Sequence, residues 1–122
     1  MVIDQILTTI HAYIDGSFRG DSTLLSSAFA DGAVMKGYIG DRFISVDANE
    51  YASAFNSEMS MEKMHVPYQV EVEDVRVYGH TASVTIRELN FENEFHFITQ
   101  FQLILNADSG AWEIVSKAFE TV

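Results

Sequence analysis

From Tyr68 onward the apolar residues fall at every second position, and this change of period constrains the fold more than any other feature of the chain. Val70 and Val72, Val75 and Val77, then Ala82, Val84 and Ile86, then Phe95, Phe97, Phe101, Leu103 and Leu105, and last Trp112 and Ile114 keep a period of two. Strands with one buried face produce that alternation. Turn-forming residues at Gly79-His80, Glu92-Asn93 and Ala107 to Gly110 divide the stretch into long hairpins. The apolar phase slips between Val72 and Val75, which a two-residue bulge at Glu73-Asp74 explains; bulges bend sheets.

The first half keeps a helical period. Ile3, Ile6, Leu7, Ile10, Tyr13, Ile14 and Phe18 recur in steps of three and four, which predicts an amphipathic helix over residues 2 to about 18. Leu24, Leu25, Ala28 and Phe29 restart the period after Asp21 and Ser22, whose side-chain oxygens suit helix capping. Between the two lie Arg19-Gly20-Asp21, which spells an adhesion tripeptide, and Gly20-Asp21-Ser22, which matches the nucleophile block of GDSL-type hydrolases. A hydrolase serine of that type follows a strand and needs a later His and Asp block, whereas here a helix precedes Ser22 and no such block follows. The adhesion motif needs an extended extracellular loop. Both are read as the joint between two helices.

Gly32, Gly37 and Gly40 punctuate two short apolar runs, 33 to 39 and 42 to 46, read as strands. Asp47 and Glu50 stand in capping-box spacing before Tyr51, Ala52, Phe55 and Met59, which predicts a third helix of three turns. The expected fold class is α+β: three helices from the N-terminal half against a curved antiparallel sheet of about five to six strands, in one domain over residues 1-122.

Eighteen acidic against seven basic residues give a net charge of -11, a surface that repels phosphate backbones and anionic membranes, so neither nucleic acid nor membrane is expected as a partner. The absence of Cys removes disulfides, thiolate nucleophiles and cysteine-held metals. His11, His65, His80 and His96 are scattered, with no i, i+4 pair and no phosphate-binding glycine loop, so neither metal nor cofactor is expected. The opening MVIDQILTTI has Asp4 before any basic residue, unlike an export signal, and a cytoplasmic location is expected.

A two-residue turn at Glu92-Asn93 would pair Asn90 with Phe95, Glu88 with Phe97, Ile86 with Thr99 and Val84 with Phe101, and cross-strand partners share a face. Glu88, Asn90 and Thr99 are then polar groups beside Phe97 and Phe101 on the helix-covered face. A carboxyl there has its pKa raised by desolvation unless it is paired, which is how general bases and acids are made. The opposite face takes Arg87, Leu89, His96, Ile98, Gln100 and Gln102, a mixed surface suited to a homodimer contact. The same pairing puts Lys117 near Gln100 on that convex face, as an interface ion-pair partner rather than an anchor for an anionic ligand. His65, just before Pro67, borders the mouth of the helix-covered side, with Met59, Met61 and Met64 as adaptable apolar neighbours.

The element order, together with "YIDGSFRGD", "AFADGAV" and the closing "WEIVSKAF", resembles the nuclear transport factor 2-like superfamily over essentially the whole chain, and within it the SnoaL-like and lumazine-binding branch. The resemblance implies a cone-shaped, cystatin-like α+β barrel, open at one end and dimeric through its convex sheet face. The superfamily holds ketosteroid isomerases, dehydratases, an epoxide hydrolase and polyketide cyclases, so the fold leaves the reaction open. Laid on the isomerases without gaps, Tyr13 falls on their oxyanion tyrosine, but their general-base aspartate falls on Gly37, and steroid-type isomerisation is not expected.

The leading expectation is a small-molecule-binding protein without cofactor, its apolar cone taking a flat aromatic or polyketide-like ligand. Tyr13, Tyr38, Phe55, Met59, Asn90, Phe97, Thr99 and Phe101 are the expected lining. One alternative is a cofactor-free lyase or isomerase with Glu88 or His65 as base and Tyr13 as hydrogen-bond donor. Another is a dimeric assembly module whose cone is plugged by Phe55, Phe97 and Phe101.

Overall fold

The computed structural model describes residues 1–122. Two helices come first, α1 (Val2–Arg19) and α2 (Ser22–Ser27), followed by strands β1 (Phe29–Ile39) and β2 (Arg42–Asp47). Helix α3 (Ala48–Ser53) and a 3₁₀ turn (Ser57–Met59) lead to β3 (Gln69–Tyr78), β4 (Thr81–Phe91), β5 (Phe95–Leu105) and β6 (Trp112–Thr121). No helix is long and apolar enough to cross a membrane.

The apolar stripe of α1 buries Ile6, Ile10 and Tyr13 in one core with Val84, Ile86, Phe101, Leu103 and Ile114 of the sheet. Such packing, more than propensity, is what holds a helix of this length. Gly20 ends it in the left-handed region at φ 65, its N–H donating to the Gly16 carbonyl. Asp21 Oδ1 accepts from the Leu24 N–H at 3.0 Å and opens α2, a cap that contributes about 1 kcal/mol. Arg19, Gly20 and Asp21 are therefore the last helical residue, the C-cap and the next N-cap, and Ser22 begins a helix without a strand before it.

The six strands form one open sheet in the order β2-β1-β6-β5-β4-β3. The chain leaves β2 through α3, enters the far edge as β3 and walks back by three hairpins, which brings β6 beside β1. That step is parallel, so the expected antiparallel sheet is mixed. Strand β1 starts at Phe29, a residue the helical period had assigned to the second helix. Helix α3 runs only from Ala48 to Ser53, capped by Asp47 Oδ1 on the Glu50 N–H at 3.0 Å. It has under two turns instead of three, and Phe55 and Met59 fall beyond it.

Three register slips shape the sheet. On β3, Val72 pairs with Ile86 and Asp74 with Thr85, so the bulge is the single residue Glu73. Between β4 and β5, Glu88 pairs with Phe97 but Phe91 with Phe95. The turn thus has three residues, Glu92 to Glu94, and an extra residue on β4, with Asn90 at φ 60, offsets it. The two departures cancel, which is why Glu88–Phe97, Ile86–Thr99 and Val84–Phe101 pair as the alternation implies. On β6, Ile114 pairs with Leu103 and Ser116 with Gln102, leaving Val115 unmatched. Trp112 and Ile114 before the slip and Lys117 and Phe119 after it are consequently all buried.

Candidate functional site

The inner sheet face and α3 line a concave cavity of about 200 Å³ that opens to one side. Strands β1 and β2 supply Met35, Ile39, Ile44 and Val46, and the opposite wall is aromatic, with Phe91, Phe95, Phe97 and Phe119. The remaining lining residues are Tyr51 from α3, Glu88, Thr99 and Lys117. A concave, mostly apolar space with a few polar groups is the usual form of a small-ligand site.

Glu88 is 1% exposed because β4 turns it inward opposite Phe97. Three hydroxyls donate to it: Thr99 Oγ1 to Oε1 at 2.6 Å, Tyr68 to Oε2 at 2.6 Å, and Tyr13 to both oxygens at 3.2 Å. An acceptor-only group with two oxygens is well served by that donor set. The network ties α1, the segment before β3, β4 and β5 to one point, and Phe18 stacks on Tyr68 at 6.2 Å to fix its ring. Burial and then the Glu88 charge hold the Tyr13 and Tyr68 hydroxyls well above the ordinary tyrosine range.

Lys117 enters the same cavity from β6. Its Nζ lies 4.8 Å from the Tyr13 ring centroid, 4.9 Å from Tyr51 and 5.4 Å from Phe119. The ion pairs of the molecule are Arg76–Asp74 and Arg87–Glu73, so no carboxylate lies within 4.0 Å of Lys117. Its ammonium makes no hydrogen bond within the chain. Aromatic faces stabilise a cation by roughly 0.5–2 kcal/mol each but accept no N–H. Burial pushes Lys117 down to about 8, opposed by the Glu88 charge. The Tyr51 hydroxyl is likewise without a protein partner, and burial raises it above its ordinary value.

Of the residues expected at a site, the structure brings Tyr13, Glu88, Phe97, Thr99 and Phe101 together. Tyr13 and Phe101 stand one layer behind the lining, edge to face at 4.9 Å. Tyr38 lies outside: Met35, Gly37 and Ile39 take the inward positions of β1, so Tyr38 points outward against Phe43 at 5.5 Å. Because α3 stops at Ser53, Phe55 and Met59 line a separate depression with Ser17 and Glu92 on the other side of Tyr51. His65 is exposed in a turn at φ 55. Asn90 stands at the bulge, its amide donating to the Pro67 carbonyl at 2.9 Å. Phe55, Phe97 and Phe101 leave the cavity unfilled.

Lys117 is the main correction, since it is buried on the concave face opposite Phe101, not on the convex face beside Gln100. Val115 reverses the phase of β6, and a signal existed: Ile114 and Phe119 are five residues apart, an odd spacing that cannot put both inside without a slip. Phe119 also explains Gly37. A Cβ on Gly37 would collide with the Phe119 backbone oxygen and lie 2.6 Å from its ring Cγ, so no side chain fits there.

Among solved structures, the chain is similar to a nuclear transport factor 2-like protein of unknown function from Methylobacillus flagellatus, with 25% identity and a TM-score of 0.83 over 98% of this chain and 91% of that one. A second such protein, from Shewanella baltica, shares 21% identity with a TM-score of 0.78, covering 98% and 93%. A ketosteroid isomerase-like protein from Erwinia carotovora shares 18% with a TM-score of 0.65, covering 96% and 93%; at those two identities the likeness shows the fold alone. No curated protein matches the chain. The model of the family described as "Putative lumazine-binding" matches residues 1–120, and the chain belongs to that branch of the nuclear transport factor 2-like superfamily.

Proposed function

We propose that this protein binds a small, flat, mainly apolar molecule within the cavity. The observation that carries the reading is the concave space of about 200 Å³ with nine hydrophobic residues among its twelve lining positions. An apolar cavity of about 150 Å³ accepts benzene, so this one suits a single aromatic ring with a short substituent better than a polyketide. The family description, putative lumazine-binding, likewise concerns a small ligand. Binding is favoured over turnover because both Glu88 oxygens are engaged by hydroxyls and His65 is at the surface. The outer sheet face, where Tyr38 and Phe43 border a shallow depression with Ile98, serves in this reading as the contact with a second copy.

Titration with p-cresol, followed by melting temperature, tests the binding reading. The melting temperature rises with p-cresol concentration, as for any ligand that binds only the folded chain. In Ile44→Trp, where the indole fills the cavity, it stays flat. A wild-type melting temperature unmoved by p-cresol, benzamide and benzoate alike overturns the reading.

A further inference from the structure

We propose that the ligand of this cavity is an aromatic monoanion of the arene carboxylate type, its charged group seated on Lys117 and Tyr51 and its ring against the phenylalanine wall. The inference rests on the binding reading above and adds the chemical class. Its basis is a count of donors and acceptors in the cavity. The acceptors are spent: the two Glu88 oxygens receive three hydroxyls, and the Thr99 hydroxyl is committed to Glu88. Two donors are unspent, the Lys117 ammonium and the Tyr51 hydroxyl, and both line the cavity. They are neighbours, with Nζ 4.9 Å from the Tyr51 ring.

A ligand complementary to this arrangement brings acceptor atoms and negative charge, since a buried ammonium without an acidic partner is costly. A neutral arene fills the volume but leaves the ammonium unpaired; a cationic one meets it with like charge. The rings of Tyr13, Tyr51 and Phe119 surround Nζ, so the ion approaches from the open cavity side. The molecule's net charge of -11 opposes entry of an anion. Selection for the anion therefore comes from the cavity and not from the field of the surface.

The groups facing Lys117 are Tyr13 from α1, Tyr51 from α3 and Glu88 from β4, with Tyr68 bonded to Glu88 behind them. The tyrosines are all held above their ordinary range, so among the donors Lys117 loses its proton first as pH rises. Benzoate and benzamide have nearly the same shape and differ in charge, which makes them the probes. By isothermal titration at pH 7, benzoate binds at least about tenfold tighter than benzamide, one well-placed charge-assisted contact being worth a factor of this order. Between pH 7 and 9.5 the benzoate affinity falls, approaching tenfold per pH unit above about 8, while benzamide affinity does not fall. In Lys117→Met the benzoate advantage disappears and benzamide binding remains.

Benzamide binding as tightly as benzoate, a benzoate advantage that survives in Lys117→Met, or a flat benzoate pH profile each overturns the anionic class while leaving a binder of neutral arenes. Binding of neither probe overturns the anionic class, and a melting temperature that p-cresol also leaves unmoved overturns the binding reading with it. Should the Met variant fail to fold, the pH comparison on the unaltered protein decides alone.

Discussion

A buried lysine without a salt bridge costs stability, and that cost can be measured at the single side chain. Lys117 is held at about 8 in the folded protein against 10.5 as the ordinary value. Below 8 both folded and unfolded chains carry the proton, and the full burial cost is present. Between 8 and 10.5 the unfolded chain binds more protons, so folding stability rises with pH. The difference, 10.5 minus 8, is 2.5 pH units, or about 3 kcal/mol as an upper bound. Lys117→Met accordingly stabilises the unliganded protein at pH 7 by about 1–3 kcal/mol and removes the corresponding gain between pH 8 and 10. Urea unfolding of both proteins at the two pH values checks this; a less stable Met variant would mean that the ammonium has a structural role. Glu88 and Thr99 were legible in the sequence because they keep the phase of strands with many apolar markers. Lys117 was not, because one unmatched residue, Val115, moved it to the other face.

Whole elements were read most securely where the period runs long. Seven apolar positions define α1, and the β3–β4 hairpin turns at Gly79-His80 as its residues imply. Errors gathered where an element has few residues to average over. Six-residue α3 is capped as its Asp47 suggests but lacks the length that Phe55 and Met59 imply, and those two residues took the expected lining with them. The pairing of β4 with β5 follows the alternation because a longer turn and a bulge at Asn90 offset each other, and a bulge leaves only a shift of phase as its trace. The join of β1 to β6 supplies the element-scale prediction. Gly37 lies against Phe119 across that join, so Gly37→Ala forces backbone and ring apart and destabilises by about 2 kcal/mol or more. A urea midpoint equal to wild type would show that the join is looser than described.

At the scale of the molecule, the apolar groups outside the core are the next constraint. Phe43 is 57% exposed and Tyr38 45% on the outer sheet face, a pattern of the kind that marks contact surfaces. The proposed second copy on that face predicts sedimentation at twice the 13.7 kDa chain mass. Phe43→Glu should shift the protein to the monomer at micromolar concentration, and a wild type that sediments as a monomer at millimolar concentration removes the dimer. The family and its fold were readable from the whole chain because they depend on the order of elements. The proposed ligand class was not, because the proposal depends on where one ammonium points.

The parallel contact of β1 with β6 also sets an order of events during synthesis. Before Trp112 has left the ribosome, β2-β1 and β5-β4-β3 are two separate ribbons. Each then shows an unpaired edge to its surroundings. The last-made strand joins them, and the same strand carries Lys117 and Phe119 into the cavity. A nascent chain can therefore hold its hairpins early, yet it becomes one sheet, with the cavity complete, only when translation has passed Phe119.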